Sequence, residues 1–164
     1  MQSVTGLRGV LTVACAMLAI VSSPVAASRE WQPGDFAWYG DAAEGRGGDI
    51  AVVVNLPMQF AYVYRDGVLI GESTVSTGKP GKDTPPGDYT ILQKRIFHRS
   101  NRYSNAPMPF MLRLTWSGIA MHGGHLPGYP ASHGCIRFPK AFARRLFHMT
   151  EVGASVSVVG EPAS

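Results

Sequence analysis

The 164-residue chain carries 15 Lys and Arg against 11 Asp and Glu, a formal net charge of +4, and only two cysteines. A chain of this length makes one domain that buries roughly two-thirds of its surface on folding, so its core needs no disulfide or metal staple. The basic balance does not indicate nucleic acid, because no recognition motif accompanies it and the N-terminus reads as an export signal.

Residues 1–27 form that signal. Arg8 is the only charge, the run from Gly9 to Val21 is apolar, and "PVAA" (Pro24 to Ala27) ends in the small residues a signal peptidase accepts. The apolar run is about five residues too short for a membrane span. Cys15 comes too early to be a lipid attachment site, so the expectation is a periplasmic or secreted protein. Only Cys135 then remains, with no internal partner in an oxidising compartment. A buried cysteine acting as a small hydrophobe is the ordinary alternative; the neighbours of Cys135 argue against it.

Residues 28–48 show no sustained period and read as a flexible tether, followed by a domain over 49–160 and a tail over 161–164. "DIAVVVN" (49–55) is a β-branched strand. "QFAYVYRDGVLIGEST" (59–74) gives two strands around Asp66-Gly67, a strong hairpin signal. "TGKPGKDTPPGDY" (77–89) is an irregular loop, and 88–96, 110–116 and 118–122 read as further strands. Pro139 to Thr150 is the one convincing helix, with Phe142, Leu146 and Met149 on a stripe that Phe138 extends backward and Pro139 in the first turn. A last strand covers 155–159. Many short strands and one late helix predict a mostly β domain, a barrel or sandwich with the helix packed on it.

Charge is segregated along this domain. From Tyr89 to Thr150 there is no Asp or Glu, while nine Lys and Arg fall inside, among them Arg99, Arg102, Arg113, Arg137 and Lys140. Such a segment favours a partner bearing carboxylates or phosphates; a solvated basic face is the plainer reading of any single member.

Chemistry concentrates in "MHGGHLPGYPASHGCIRF" (121–138), which holds three of the five histidines. Cys135 follows His133 by two residues and His122 by thirteen. A thiol needs a neighbouring imidazole to act as a nucleophile near neutral pH, and either histidine can serve. Glycines beside the thiol allow a substrate to approach bare backbone, as an oxyanion hole of N–H groups requires, and Gly134 stands next to the nucleophile. With no local carboxylate, a backbone carbonyl is the favoured group to orient the base. If Cys135 ends a strand, Arg137 shares its face and can hold a substrate carboxylate or stabilise a thiolate. His122, His125, His133 and Cys135 also form a set that zinc accepts, but the spacing matches no common finger and Arg137 places positive charge beside the ion; no metal and no cofactor are expected.

The chain resembles the L,D-transpeptidase catalytic domain (YkuD-like) in "STGKPGKDTPPGDY" (76–89), in "MHGG" and in "SHGCIR". The likeness runs from about Asp49 to Val159. It implies a mostly β fold whose Cys135 forms a thioester with a peptidoglycan tetrapeptide stem between meso-diaminopimelate and D-alanine, releases D-alanine and passes the acyl group to an amine. By position, His122 is the general base, the Gly123 carbonyl orients it, Ser132, His133 and Gly134 support the oxyanion, and Arg137 contacts substrate. Between the two histidines, His122 is expected to take the proton. The resemblance also implies that carbapenems acylate the cysteine. Its departures are a short gap between His122 and Cys135 and the lack of a recognisable wall-binding module.

The partners implied are donor and acceptor stem peptides, giving a 3→3 cross-link, or the terminus of an outer-membrane protein, acting on a monomer without nucleic acid. Water in place of the amine makes the activity an L,D-carboxypeptidase. A sortase also orders His, Cys and Arg, but no T-L-x-T-C-like stretch precedes Cys135. A zinc-stabilised or peptidoglycan-binding module without catalysis is the alternative from another class. His98, Arg99 and Arg102 are placed near a donor groove, His125 in a polar turn, and Trp116, Tyr62 and Tyr64 in the core.

Overall fold

The computed structural model describes residues 29–40, 45, 47–101 and 103–161. Residues 1–28, which include the expected export signal, 41–44, 46, Arg102 and 162–164 lie outside them. Ten strands and one helix follow in chain order: β1 (Phe36–Trp38), β2 (Ile50–Asn55), β3 (Phe60–Arg65), β4 (Val68–Thr74), β5 (Gly87–Thr90), β6 (Gln93–Arg95), β7 (Met111–Arg113), β8 (Ala120–Gly123), β9 (Ile136–Phe138), α1 (Lys140–Met149) and β10 (Ser155–Val159). Six strands form one sheet in the order β1-β4-β3-β2-β10-β5, and four form a second in the order β6-β7-β8-β9. This is the mostly β, two-sheet architecture with a late helix that the sequence predicts.

Alternation explains the larger sheet. Ile50, Val52 and Val54 of β2 point inward, as do Ala61 and Val63 of β3 and Val156 and Val158 of β10, while their neighbours face out. Against them pack Leu112, Met121, Ile136 and Phe138 from the smaller sheet, and Phe142, Ala143, Leu146 and Phe147 from α1. The β3–β4 connection is the expected tight turn, with Asp66 at φ 49° and Gly67 at φ 79°, both in the left-handed region that a type I′ hairpin demands.

Three expectations need correction. Residues 28–48 are not wholly a tether: β1 lies within them and pairs antiparallel with β4. Trp38 stacks on Phe142 of the helix at 4.4 Å, with Arg145 over its other face, and a side chain at Gly71 would come within 2.4 Å of the indole. Three residues are too few to show a period, and the partners of β1 are far away in sequence. The run 88–96 is two strands, since β5 pairs with β10 in one sheet and β6 with β7 in the other. The fully buried Ile91 sits at the corner, its N–H given to Ala154 while the Leu92 N–H goes to Arg113. Phe138 belongs to β9, not to a backward extension of the helix, and Pro139 is the cap residue before α1.

Candidate active site

The register of β8 and β9 builds the site. These strands run parallel, with Met121 opposite Ile136 and His122 opposite Arg137. Residues directly opposite share a face, and faces alternate along each strand. Met121, Ile136 and Phe138 therefore enter the core. His122 and Arg137 project to the other face, and Cys135, two residues before Arg137, joins them. All three line one cavity of about 1140 Å³.

Cys135 is half-buried against a small apolar cluster of Met108, Met111 and Ala120, and its Sγ reaches the Gly118 carbonyl at 3.5 Å. Burial pushes the thiol above its ordinary range; the Ala120 backbone and the Arg137 and Arg113 guanidiniums pull downward without prevailing. Cys135 also borders a second cavity of about 120 Å³, shared with His98, Arg113 and Trp116. Trp116 itself is 72 % exposed beside Arg113, so it is not the core residue expected of it.

His122 is almost fully buried, and its Nδ1 stands 3.0 Å from the carbonyl oxygen of Gly123. A carbonyl only accepts, so Nδ1 carries the hydrogen and Nε2 is left as the basic nitrogen. Burial drives this imidazole down to about 4; the Gly123 bond opposes the shift, and Arg137 adds to it. At neutral pH the pair is thus a thiol beside a neutral, oriented imidazole. His133 has a different setting. It is exposed and stacks on Tyr103, with ring centroids 4.3 Å apart and planes 21° apart.

The turn bearing Cys135 is held from both ends. Ser132 Oγ donates to the Cys135 carbonyl at 2.5 Å and accepts from the Gly134 N–H at 3.1 Å. Gly134 takes φ 109°, and a side chain there would meet Ile119 at 2.8 Å, so only glycine fits. Because its N–H is already donated to Ser132, Gly134 shapes the turn instead of presenting that amide to the cavity. Ser132 and His133 do line the cavity.

A set of positioning residues was not visible in the sequence as such. Thr84 Oγ1 donates to the Gly134 carbonyl at 2.8 Å and accepts from the Gly78 N–H at 2.9 Å, inside the protein. Ser76 and Arg137 exchange backbone hydrogen bonds at 3.0 and 2.9 Å, and the Ser132 N–H is given to the Thr77 carbonyl. Gln59 closes the set by bonding both the N–H and the hydroxyl of Thr77. Ser76, Thr77, Gly78 and Thr84 all lie in the "STGK…T" stretch that carried the resemblance. The quoted motif was the available signal, but its role needs the partner turn in view.

Among the other expected residues, His98, Arg99 and His125 line the larger cavity. Tyr62 and Tyr64 are half-buried on the outer face of β3. His122, His125, His133 and Cys135 do not gather as a ligand set: no group of three or more His, Cys, Asp or Glu among the described residues is placed to hold a metal ion. No helix among the described residues is long and apolar enough to cross a membrane.

A family profile described as the L,D-transpeptidase catalytic domain matches residues 49–158, a span that contains both sheets except β1, the helix and the whole site. The chain belongs to the L,D-transpeptidase catalytic-domain family. L,D-transpeptidase 1 of Mycobacterium tuberculosis is 30 % identical to it over 114 residues, covering 60 % of this chain and 45 % of the relative. The chain therefore spans about half the length of that curated relative. A solved L,D-transpeptidase from Stackebrandtia nassauensis superposes with a TM-score of 0.65 at 27 % identity, over 72 % of this chain and 59 % of the other. L,D-transpeptidase 3 of Mycobacterium tuberculosis, solved in complex with a faropenem-derived adduct, shares the fold with a TM-score of 0.63 at 23 % identity, over 70 % of this chain and 61 % of the other.

Proposed function

We propose that this L,D-transpeptidase-family domain is a cysteine-dependent acyltransferase acting on peptidoglycan stem peptides. The observation that carries the reading is the pair on one sheet face: Cys135 at the cavity, and His122 with its Nδ1–H given to Gly123 and its second nitrogen free to take a proton. Nε2 of His122 removes the thiol proton as sulfur bonds to the acyl carbon. The oxyanion is received by amides of the turn, the Cys135 N–H foremost, since the Gly134 N–H is committed. The imidazolium returns its proton to the departing D-alanine amine as the C–N bond breaks. An incoming amine then attacks the thioester, loses its proton to His122, and the thiolate leaves and is reprotonated.

Burial of both partners gives this scheme its resting state. A thiol held above its ordinary range and an imidazole held below it stay neutral until substrate binds. Charge forms only in the transition state, beside the Arg137 guanidinium. The signal-like N-terminus fits a periplasmic or exported site of action, where such peptides are found.

The test is the intact mass of the protein after exposure to a carbapenem, together with D-alanine release from a tetrapeptide stem. One covalent adduct and D-alanine release are expected, both lost in Cys135→Ala. An adduct retained in Cys135→Ala overturns the assignment of the nucleophile.

A further inference from the structure

The walls of the active-site cavity carry cations and no acids. Its lining includes Arg99, Arg137 and Lys140 and not one Asp or Glu. Arg137 and Lys140 flank the base closely. The Arg137 stem lies against Gly124, where an added Cβ would meet it at 3.1 Å, and Lys140 lies against Gly123, where an added Cβ would meet the Lys140 Cα at 3.2 Å and its Cγ at 3.5 Å. These glycines directly follow His122. Among the described residues, no carboxylate stands within ion-pair distance of Arg137 or Lys140.

Lys140 also opens α1, whose first turn contains no acidic residue and whose cap residue Pro139 makes no side-chain hydrogen bond. A cation there opposes the helix dipole, so local helix stability does not explain it. The field reaches the whole site: Lys79, Lys82 and Arg137 act on His133, and Arg113 and Arg95 act on His98. Two cations without a protein counter-ion, beside the reacting groups, call for an anion on the substrate.

We propose that Arg137 and Lys140 bind the free side-chain carboxylate of the diaminopimelyl residue that becomes the acyl group, so the enzyme selects donor stems in which that carboxylate is neither amidated nor absent. This rests on the stem-peptide reading above and adds the donor's chemical class to it. The diaminopimelate carboxylate is carried by an amino-bearing carbon that lies three methylenes from the α-carbon bearing the reacting carbonyl. A carboxylate held at the Arg137 end of the cavity therefore directs that carbonyl toward Cys135. Arg137 offers a planar fork of donors and Lys140 a movable point charge, a combination suited to one carboxylate at the end of a flexible side chain.

The experiment compares three tetrapeptide donors with the full chain: one with the diaminopimelate carboxylate free, one with it amidated, and one with lysine in place of diaminopimelate. The readout is kcat/KM for D-alanine release. Wild type is expected to use the free acid about tenfold or more above the other two, the size of one charge-assisted hydrogen bond. Arg137→Gln with Lys140→Gln is expected to bring the three donors to within about threefold of each other, chiefly by loss on the free acid. Arg144→Gln, an equal charge change on the exposed side of α1, is expected to keep the wild-type ratio. A merely structural role for Arg137 and Lys140 lowers all three donors together and leaves the ratio unchanged, which overturns the proposal. Equal use of the three donors by wild type overturns it as well, while the acyltransferase reading stands. Carbapenem acylation of Cys135 without turnover of any stem removes the stem-peptide reading and this inference together.

Discussion

Residues 75–86 and residues 96–110 both border the nucleophile turn, yet they are built in opposite ways. In the first, Ser76, Thr77 and Thr84 are buried: Ser76 exchanges backbone bonds with Arg137, the Thr77 carbonyl accepts the Ala131 and Ser132 N–H groups, and the Thr84 hydroxyl donates to the Gly134 carbonyl. In the second, Phe97 is 89 % exposed, and Ser104, Asn105 and Phe110 take positive φ without being glycine. The inner loop grips the turn through buried polar groups that are tied in turn to Gln59, Tyr129 and Gly78, so its geometry is over-determined. Among the described residues, the outer loop meets the site through Tyr103 on His133, Met108 beside Cys135 and the Pro109 carbonyl on the Gly123 N–H, and otherwise forms a cavity wall. Precision at the thiol therefore depends on the inner loop, and the shape of the entrance on the outer one.

The sharpest test of this contrast is Gly78→Ala. An added Cβ would lie 2.2 Å from the Lys82 carbonyl oxygen and 2.6 Å from backbone atoms of Asp83 and Thr84, none of which is a flexible side-chain end. The expected cost is about 3 kcal/mol or more, with acylation of Cys135 by a carbapenem slowed about 100-fold, read by thermal melting and by mass. A wild-type melting temperature and rate in Gly78→Ala would break the comparison at its root.

The second test uses pH. Burial holds His122 in the folded protein at about 4, below its ordinary value near 6.5. Between these values the unfolded chain binds a proton that the native imidazole refuses, so stability falls as pH drops from about 6.5 to about 4. At 1.36 kcal/mol per unit the loss is about 3 kcal/mol, measurable as the pH dependence of denaturant midpoints, and His122→Gln is expected to flatten it. His133→Gln is expected to flatten the curve much less, because its imidazole, also lowered by partial desolvation and by Lys79, Arg137 and Lys82, is exposed. Thiol titration gives the matching check, since burial places Cys135 above the usual thiol range. Alkylation by iodoacetamide is expected to be slow at pH 7 and to rise into the alkaline range.

Thr84→Val comes third. It keeps the volume but leaves the Gly78 N–H and the Gly134 carbonyl without their partner, for an expected loss of about 1–3 kcal/mol and a slower acylation, seen by melting and by mass. The smallest effect is expected from Tyr103→Ala. Removing the stack on His133 is expected to change stability by less than about 1 kcal/mol and to alter peptide KM more than carbapenem acylation. A large loss of stability in Tyr103→Ala would show that the outer loop, too, is structural.

Much of this molecule is legible in its residues. Alternation in β2, β3 and β10, the Asp66-Gly67 turn and the Phe142–Leu146 stripe announce themselves, because each depends on contacts within a few residues or on one buried face. β1, β9 and the corner at Ile91 do not, since three-residue strands carry no period and their pairing energy comes from distant segments. The same division runs through the site. Cys135, His122, Gly123 and Arg137 stand out by type and spacing. Thr84, Ser76 and Gln59 act through backbone carbonyls and amides, for which the sequence has no mark.

The sequence by itself determined the chemistry on offer: one thiol in the chain beyond residue 27, histidines around it, glycines beside it, and a long stretch free of carboxylates that leaves base orientation to backbone. Only the tertiary structure distinguished the two histidines by position and by state. The parallel pairing of β8 with β9 puts His122, Cys135 and Arg137 on one face, and burial with the Gly123 bond makes His122 neutral and oriented. His133, the nearer of the two to the thiol in sequence, is left at the surface on Tyr103. Residue type supplies the reactive groups, but register and desolvation, which arise only when distant strands meet, select among them.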